Sequence, residues 1–356
     1  MSRGSFPAPG RAARAIRITA PGRVEIADIP VREPGPGEVR VALGAGGICG
    51  TDLHVYRGAA GVLPIVPGHD VAGVIESVGA GVESPQPGTR VTIDPAACCA
   101  RAAVPGALCG ACARGDTHLC AAATYMGMTA PGAFAEAVVV PARRAIPLPD
   151  SVSDATATVL EPVAVGLHLR EQIADRPGAA LVIGGGPIGI VAACLLARDG
   201  RRVALVEPLE RRRIAARRCG VTDVRTPEET GADPWCVIVE TSGHPSAAAL
   251  IERTVRPGGT VVLVGGAVEV SAVTILTREI EVRAAKGGRG LYPEAIAAVA
   301  AGEVDPGPLI THHAPAGCAA EAFALISTSP DRVVRAVLDL SDWRGDAHIL
   351  DTKGSR

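Results

Sequence analysis

From residue 180 the chain reads ALVIGGGPIGIVAACLLARDG and, after two arginines, VALVE. A short apolar run, a glycine-rich turn, a helical apolar period stopped by Gly200 and a second apolar run make a β-α-β unit. Apolar runs recur at 236-CVIVET-241 and 260-TVVLVGG-266. That alternation is the mark of a parallel sheet covered by helices. Within the turn, Gly184, Gly186 and Gly189 form GxGxxG with Pro187 and Ile188 between them. Such glycines let backbone approach a pyrophosphate, and the free N–H groups of the helix start receive its charge. Glu207 ends the next strand, where a carboxylate accepts hydrogen bonds from ribose hydroxyls and repels a 2′-phosphate. The turn therefore predicts a dinucleotide site with NAD favoured over NADP, although 211-RRR-213 offers guanidinium groups. Arg212 is expected over the adenine face.

Upstream, residues 15 to 150 have a different texture. Short Val/Ile segments such as 38-EVRVAL-43, 71-VAGVIESVG-79, 89-TRVTI-93 and 133-AFAEAVVV-140 lie between Gly/Pro turns, which predicts an irregular, barrel-like β domain. After residue 300 the mixed pattern returns, and 332-RVVRAVLDL-340 reads as a final strand. The expected organisation is an α/β chain with a catalytic domain at 1–162, a cofactor domain inserted at 163–299, and a return at 300–356. Residues 1–14 read as a disordered leader.

The net charge of −2 gives no footprint for nucleic acid or a membrane surface. Aromatic residues make up 2% of the chain, which argues against base stacking. Without an export signal or a bilayer-length apolar run, a cytoplasmic protein is expected, and its ten cysteines read as metal ligands or packing rather than disulfides. Only Lys286 and Lys353 are lysines among 35 basic residues.

Two motifs carry the chemistry. In 47-GICGTDLH-54 and 68-GHD-70, Cys49 offers a thiolate and His69 an imidazole behind a flexible Gly68, the donors of a catalytic zinc with an open position. Thr51 and His54 stand beside them, as a group that removes an alcohol's proton requires. Helix capping by Thr51 and Asp52 is the structural alternative.

Taken with 161-EPVAVGLH-168, 257-PGGTVVLVG-265 and 308-PLITHHAPAGCAAEAF-323, these motifs resemble the zinc-dependent medium-chain dehydrogenase/reductase family, nearest its polyol and threonine dehydrogenase branch. The resemblance spans about Ala15 to Leu340. It implies a GroES-like β-barrel domain and a Rossmann cofactor domain, with Cys49 and His69 on the catalytic zinc. It places Glu161 as a ligand, directly or through water. Asp70 stands where the family usually has Glu, one methylene longer, and is the other acidic candidate. Asp52 would fix the metal site from behind, and Val264 and Gly265 would lie along the cofactor. Cys109, Cys112 and Cys120 match three ligands of a structural zinc lobe spanning about 95–121, with Cys98 or Cys99 as the fourth and His118 in reserve. His168 reads as a helix-face residue, and His312 and His313 as loop residues.

The function implied is hydride transfer between NAD and a secondary alcohol (polyol, cyclitol, sugar or amino alcohol), giving a ketone, in a homodimer or homotetramer. Tyr56, Lys286 and Arg289 are candidate substrate contacts. The alternatives are a zinc-free NADPH-dependent enone or quinone reductase on the same scaffold, and a non-catalytic nucleotide-binding protein.

Overall fold

A computed structural model describes residues 11–102, 106–265, 268–343 and 350–351. The chain starts with a hairpin of β1 (Arg11–Ala20) and β2 (Arg23–Val31). Arg11–Arg14, expected in the leader, thus already lie in a strand. Arg14 is exposed between buried Ala13 and Ala15, and its Nε donates to Glu136 Oε1 at 2.8 Å. That period-2 alternation is a strand signal. The rest of the expected leader, residues 1–10, lies outside the described residues.

There follow β3 (Glu38–Ile48), α1 (Gly50–Tyr56), β4 (Asp70–Val78) and β5 (Arg90–Ile93). The cysteine lobe holds β6 (Ala96–Ala97), α2 (Gly110–Ala113) and β7 (Thr124–Tyr125), with β6 paired to β7 at its base. Strands β8 (Ala137–Pro141) and β9 (Ala145–Pro147) and helix α3 (Asp154–Ala157) complete this stretch.

From Val159 to Leu309 the chain forms a second compact unit, joined by Pro330–Val334. It contains α4 (Leu160–Gln172), β10 (Ala180–Ile183), α5 (Pro187–Arg198), β11 (Val203–Val206), α6 (Glu210–Arg218) and β12 (Asp223–Arg225). Next come β13 (Trp235–Glu240), α7 (Ala247–Thr254), β14 (Val255–Leu263), α8 (Ala272–Arg278), β15 (Glu281–Ala284) and α9 (Tyr292–Ala300). The six strands are parallel in the order β12-β11-β10-β13-β14-β15. This is a Rossmann sheet, whose topological switch point between β10 and β13 is where such folds receive ligands. Its core joins Leu181, Ile183, Trp235, Ile238, Ile251 and Val261.

The first unit resumes with β16 (Ile310–Pro315), α10 (Ala319–Thr328), β17 (Arg335–Asp339) and β18 (Leu350–Asp351). Its large sheet runs β18-β16-β17-β3-β4-β5-β9, and β8 also pairs with β3. Two expectations change here. β17 is not the final strand, because β18 pairs antiparallel with β16. His312 and His313 lie in β16 rather than in a loop, since 310-ITHHAP-315 runs parallel to β17. Among the described residues, no helix is long and apolar enough to cross a membrane.

Candidate active site and metal centres

β3 delivers Cys49 to the start of α1, and β4 begins at Asp70, which pairs with Gly47. Antiparallel pairing therefore brings the two chemical motifs to one end of the sheet. Asp52, buried in the first turn of α1, clamps them together. Its Oδ2 accepts from the Cys49 N–H and its Oδ1 from the Gly68 N–H, each at 2.9 Å, and Oδ1 lies 3.7 Å from His69 Nδ1. Capping and positioning are thus one role for Asp52. Gly68, expected to be flexible, is held: its φ is +91°, and a Cβ there would lie 2.1 Å from the Phe134 ring. Only glycine tolerates both.

Ligand atoms of Cys49, His69 and Asp70 lie within 4.8 Å of one another. His69 Nδ1 and Asp70 Oδ1 are buried without hydrogen-bond partners. Burial disfavours a charged His69 ring, but Asp70, Asp52 and Cys49 outweigh it and hold its pKa well above the ordinary value. Burial pushes the Asp52 pKa up, against the pull of His69 and the two N–H donors. The pocket thus draws positive charge, and a thiolate, an imidazole and a carboxylate are a donor set that fits zinc. Tyr125 packs edge-on against His69, with ring centroids 5.4 Å apart. Thr51 is half-buried, and His54, one turn further along α1, is exposed.

Arg335 is a site residue that the sequence reading missed. It opens β17, is 2% exposed, and donates from Nη2 to Asp70 Oδ2 and to the Thr158 carbonyl. Burial lowers its pKa, but the Asp70 charge more than compensates and raises it. The guanidinium lies on Gly47, where a Cβ would stand 2.6 Å from Nη2. The available signal was a charged residue inside the apolar run VVRAVL. Asp70 Oδ2, held in this buried ion pair, also lies 3.9 Å from His69 Nε2, while Oδ1 is buried without a partner.

In the lobe, Cys99, Cys109, Cys112 and Cys120 place their sulfurs within 4.8 Å of one another. Cys120 Sγ is 3.8 Å from both Cys109 Sγ and Cys99 Sγ, and the Cys109 N–H donates to Cys99 Sγ at 3.3 Å. Of the two adjacent candidates, Cys99 joins the group; Cys98 and His118 stand outside it. Backbone N–H groups of Cys112 and Ala121 bring Cys109 down to about 6. Cys99 is pushed up to about 11: the Cys109 N–H works against this rise, but Cys112, burial and the other two thiols prevail. Four thiols competing for shared negative charge is the electrostatic state that a divalent cation relieves.

In the second unit, Gly186 caps α5, with Pro187 in its first turn. A Cβ on Gly189 would meet the Gly184 carbonyl at 1.9 Å, so helix and turn pack as closely as GxGxxG requires. Buried Glu207 accepts from the Gly185 N–H at 2.7 Å and the Leu209 N–H at 2.9 Å. Arg212 Nη1 lies 3.7 Å from Glu207 Oε2, while Arg213 is turned to the Glu207 carbonyl at 2.8 Å. Val264 follows β14 and donates to the Glu240 carbonyl at 3.0 Å, with Gly265 next in line. Glu161 sits buried in the first turn of α4, in this unit. His168, on the same helix, is hydrogen-bonded at Nδ1 to the Gly287 carbonyl at 2.9 Å.

Comparison with known proteins gives these arrangements a family. The description "Alcohol dehydrogenase GroES-like domain" matches residues 35–150, and "FAD binding domain" matches 178–229, the first β-α-β of the Rossmann sheet. The chain is 31% identical over 315 residues to 2-dehydro-3-deoxy-L-galactonate 5-dehydrogenase of Pseudoalteromonas atlantica, covering 83% of this chain and 90% of that protein. It belongs to the zinc-dependent medium-chain alcohol dehydrogenase family. L-threonine 3-dehydrogenase of Pyrococcus horikoshii is 33% identical over 70% of this dehydrogenase and 75% of its own length. Among solved structures, alcohol dehydrogenase rspB of Escherichia coli CFT073, complexed with NADH, superposes with a TM-score of 0.83. Its identity is 28%, covering 93% of this chain and all of that one. A zinc-binding dehydrogenase of Sinorhizobium meliloti 1021 bound to NADP gives 0.79 at 27% identity, covering 92% and 99% of the two chains. The dehydrogenase is thus an alcohol-oxidising oxidoreductase that combines a GroES-like and a Rossmann domain.

Proposed function

We propose that this dehydrogenase oxidises a secondary alcohol of the polyol, sugar or hydroxy-acid class to a ketone, with zinc at the Cys49–His69 group and NAD as hydride acceptor. The observation that carries the reading is the convergence of Cys49, His69 and Asp70, whose ligand atoms lie within 4.8 Å of one another with His69 and Asp70 buried. Cys49 and His69 would hold the metal, and Asp70, paired with Arg335, balances its charge. When bound, zinc supplies a Lewis acid toward the alcohol oxygen and NAD supplies the hydride acceptor. Thr51 takes the hydroxyl proton and hands it toward the exposed His54 and water. Asp52 keeps Cys49 and His69 in place throughout.

Glu207 supports NAD over NADP, because its carboxylate is already fixed by two N–H groups where ribose hydroxyls are read and a 2′-phosphate is repelled. Cys99, Cys109, Cys112 and Cys120 form a structural zinc site. The edge strand β15 bears Val282, 40% exposed, and α8 presents Val273 and Leu276 at 68% and 79%. An apolar sheet edge of this kind supports a dimer that continues the sheet across a two-fold axis. The zinc-free reductase reading has no use for the Cys49–His69 group.

The test is NAD reduction at 340 nm with a panel of polyols, sugar acids and L-threonine, in wild type and Cys49→Ser. Zinc-replete wild type is expected to turn over at least one member and Cys49→Ser none. Equal rates in the two proteins would overturn the reading.

A further inference from the structure

Helix α10 buries Ala319, Ala322, Phe323 and Ile326, the one-sided stripe of an amphipathic helix. The two phenylalanines among the described residues, Phe134 and Phe323, meet here with ring centroids 6.5 Å apart and planes at 70°. Tyr56, the last residue of α1, sets its ring 5.4 Å from that of Phe323. One turn beyond Phe323, the Ser327 hydroxyl accepts from Arg57 Nε and the Ser327 carbonyl from Arg57 Nη2, each at 3.2 Å. Two consecutive residues at the end of α1 are thus fastened to two consecutive turns of α10.

The other side of Phe323 rests on a fixed wall. Phe134 is fully buried, its N–H donates to the Pro67 carbonyl at 3.0 Å, and its ring occupies the space a Cβ on Gly68 would need. Gly68 and the Cys49 N–H are themselves held by Asp52 in the first turn of α1. With seven residues, α1 is too short to keep its shape and direction alone. It has two attachments, Asp52 at its start and the Tyr56–Arg57 pair at its end. At about 1.5 Å of rise per residue, His54 lies midway between them. A shift at the far attachment therefore swings His54, while the Asp52 clamp keeps Cys49 and Gly68 where they are.

We propose that Phe323 is a positioning residue of the active site: wedged between Tyr56 and Phe134, it sets the angle of α1, and with it the reach of His54, against the loop that carries His69. This rests on the dehydrogenase reading above, in which Thr51 hands the alcohol's proton toward His54. Phe323 acts through Tyr56 and Phe134, not on the reacting atoms.

The experiment compares wild type, Phe323→Ala, Phe323→Leu, Arg57→Ala and Ile326→Ala, the first two also in a His54→Ala background, all zinc-replete. Sorbitol, D-gluconate and L-threonine are the substrates, with NAD and NADP. A pH indicator in a stopped-flow instrument reads proton release in the first turnover, and a chromophoric chelator reads zinc affinity. Phe323→Ala should release the proton about tenfold more slowly, with KM little changed and zinc affinity at the Cys49–His69 group within about threefold of wild type. Phe323→Leu, which refills most of the volume, should recover most of the rate. Arg57→Ala opens the exposed half of the joint without disturbing the core and should slow release about threefold, which tests the joint even where Phe323→Ala does not fold. Ile326→Ala leaves a cavity on the same stripe outside the aromatic contacts, and should lose stability with proton release unchanged. In the His54→Ala background, Phe323→Ala should cost no further rate. Equal slowing by Phe323→Ala and Ile326→Ala, or additive effects of Phe323→Ala and His54→Ala, would overturn the proposal and leave the dehydrogenase intact. No turnover of any substrate by wild type with either cofactor would overturn the dehydrogenase reading, and this proposal with it.

Discussion

Arg335 and Asp70, 265 positions apart in the chain, share a buried ion pair directly behind the Cys49–His69 group. Both side chains are almost fully enclosed, and the backbone of Gly47 is the floor on which the guanidinium lies. The pair ties β17, near the end of the described chain, to β4, near its start. It also supplies a fixed cation against the negative charge of a thiolate and two carboxylates.

Replacing Arg335 by Met is expected to cost about 3–5 kcal/mol, because it strands a buried carboxylate without its cation. Urea unfolding measures this as a lower midpoint. The double variant Asp70→Asn/Arg335→Met should recover part of the loss, since no uncompensated charge then remains. A double variant no more stable than Arg335→Met would contradict the account of the pair.

Asp52→Ala removes the acceptor shared by the Cys49 and Gly68 N–H groups. It should weaken zinc binding at the Cys49–His69 group by about 10–100-fold, the usual cost of losing a residue that orients metal ligands. Asp52→Asn keeps one acceptor oxygen and should fall between wild type and Ala. Competition with a chromophoric chelator gives the affinities, and an unchanged Ala variant would refute the clamp.

Cys98→Ser and Cys99→Ser separate two adjacent residues. The Cys99 change should release the lobe metal and destabilise the protein, whereas Cys98→Ser should keep the metal and lose at most about 1 kcal/mol from its buried position. Metal content and thermal midpoint of the two variants, measured side by side, decide the assignment. The reverse pattern would place Cys98 in the lobe.

Glu207→Ala should raise the KM for NAD by about tenfold and improve kcat/KM for NADP, since the acceptor for ribose hydroxyls and the repulsion of a 2′-phosphate vanish together. Arg212, 3.7 Å from that carboxylate, is then free to meet the phosphate. Steady-state kinetics with both cofactors test this. Unchanged cofactor preference would remove Glu207 from the adenosine site.

The Rossmann half was legible because its information is local: strand, turn and helix follow one another within thirty residues around GGGPIG. The proximity of Cys49 to His69 was legible for a related reason, since their strands are neighbours and pair antiparallel. Arg335 was not, because its meaning depends on a strand contact made 265 residues away, and a single arginine in an apolar run reads as a strand residue first. The choice between Cys98 and Cys99 was equally hidden. Adjacent residues at the start of a helical turn point in different directions, and only the return of the chain to Cys109 selects one. His312 and His313 were misplaced because the parallel partner that makes them a strand lies beyond an intervening helix.

The central claim is that two separate groups of side chains, Cys49–His69 and the four lobe cysteines, each hold zinc. Elemental analysis of protein purified without chelator or added metal tests it most directly. The account predicts about two zinc ions per chain in wild type, about one in Cys49→Ser and about one in Cys99→Ser. A wild-type content near zero that added zinc does not raise, or a Cys49→Ser variant with unchanged content, would contradict it.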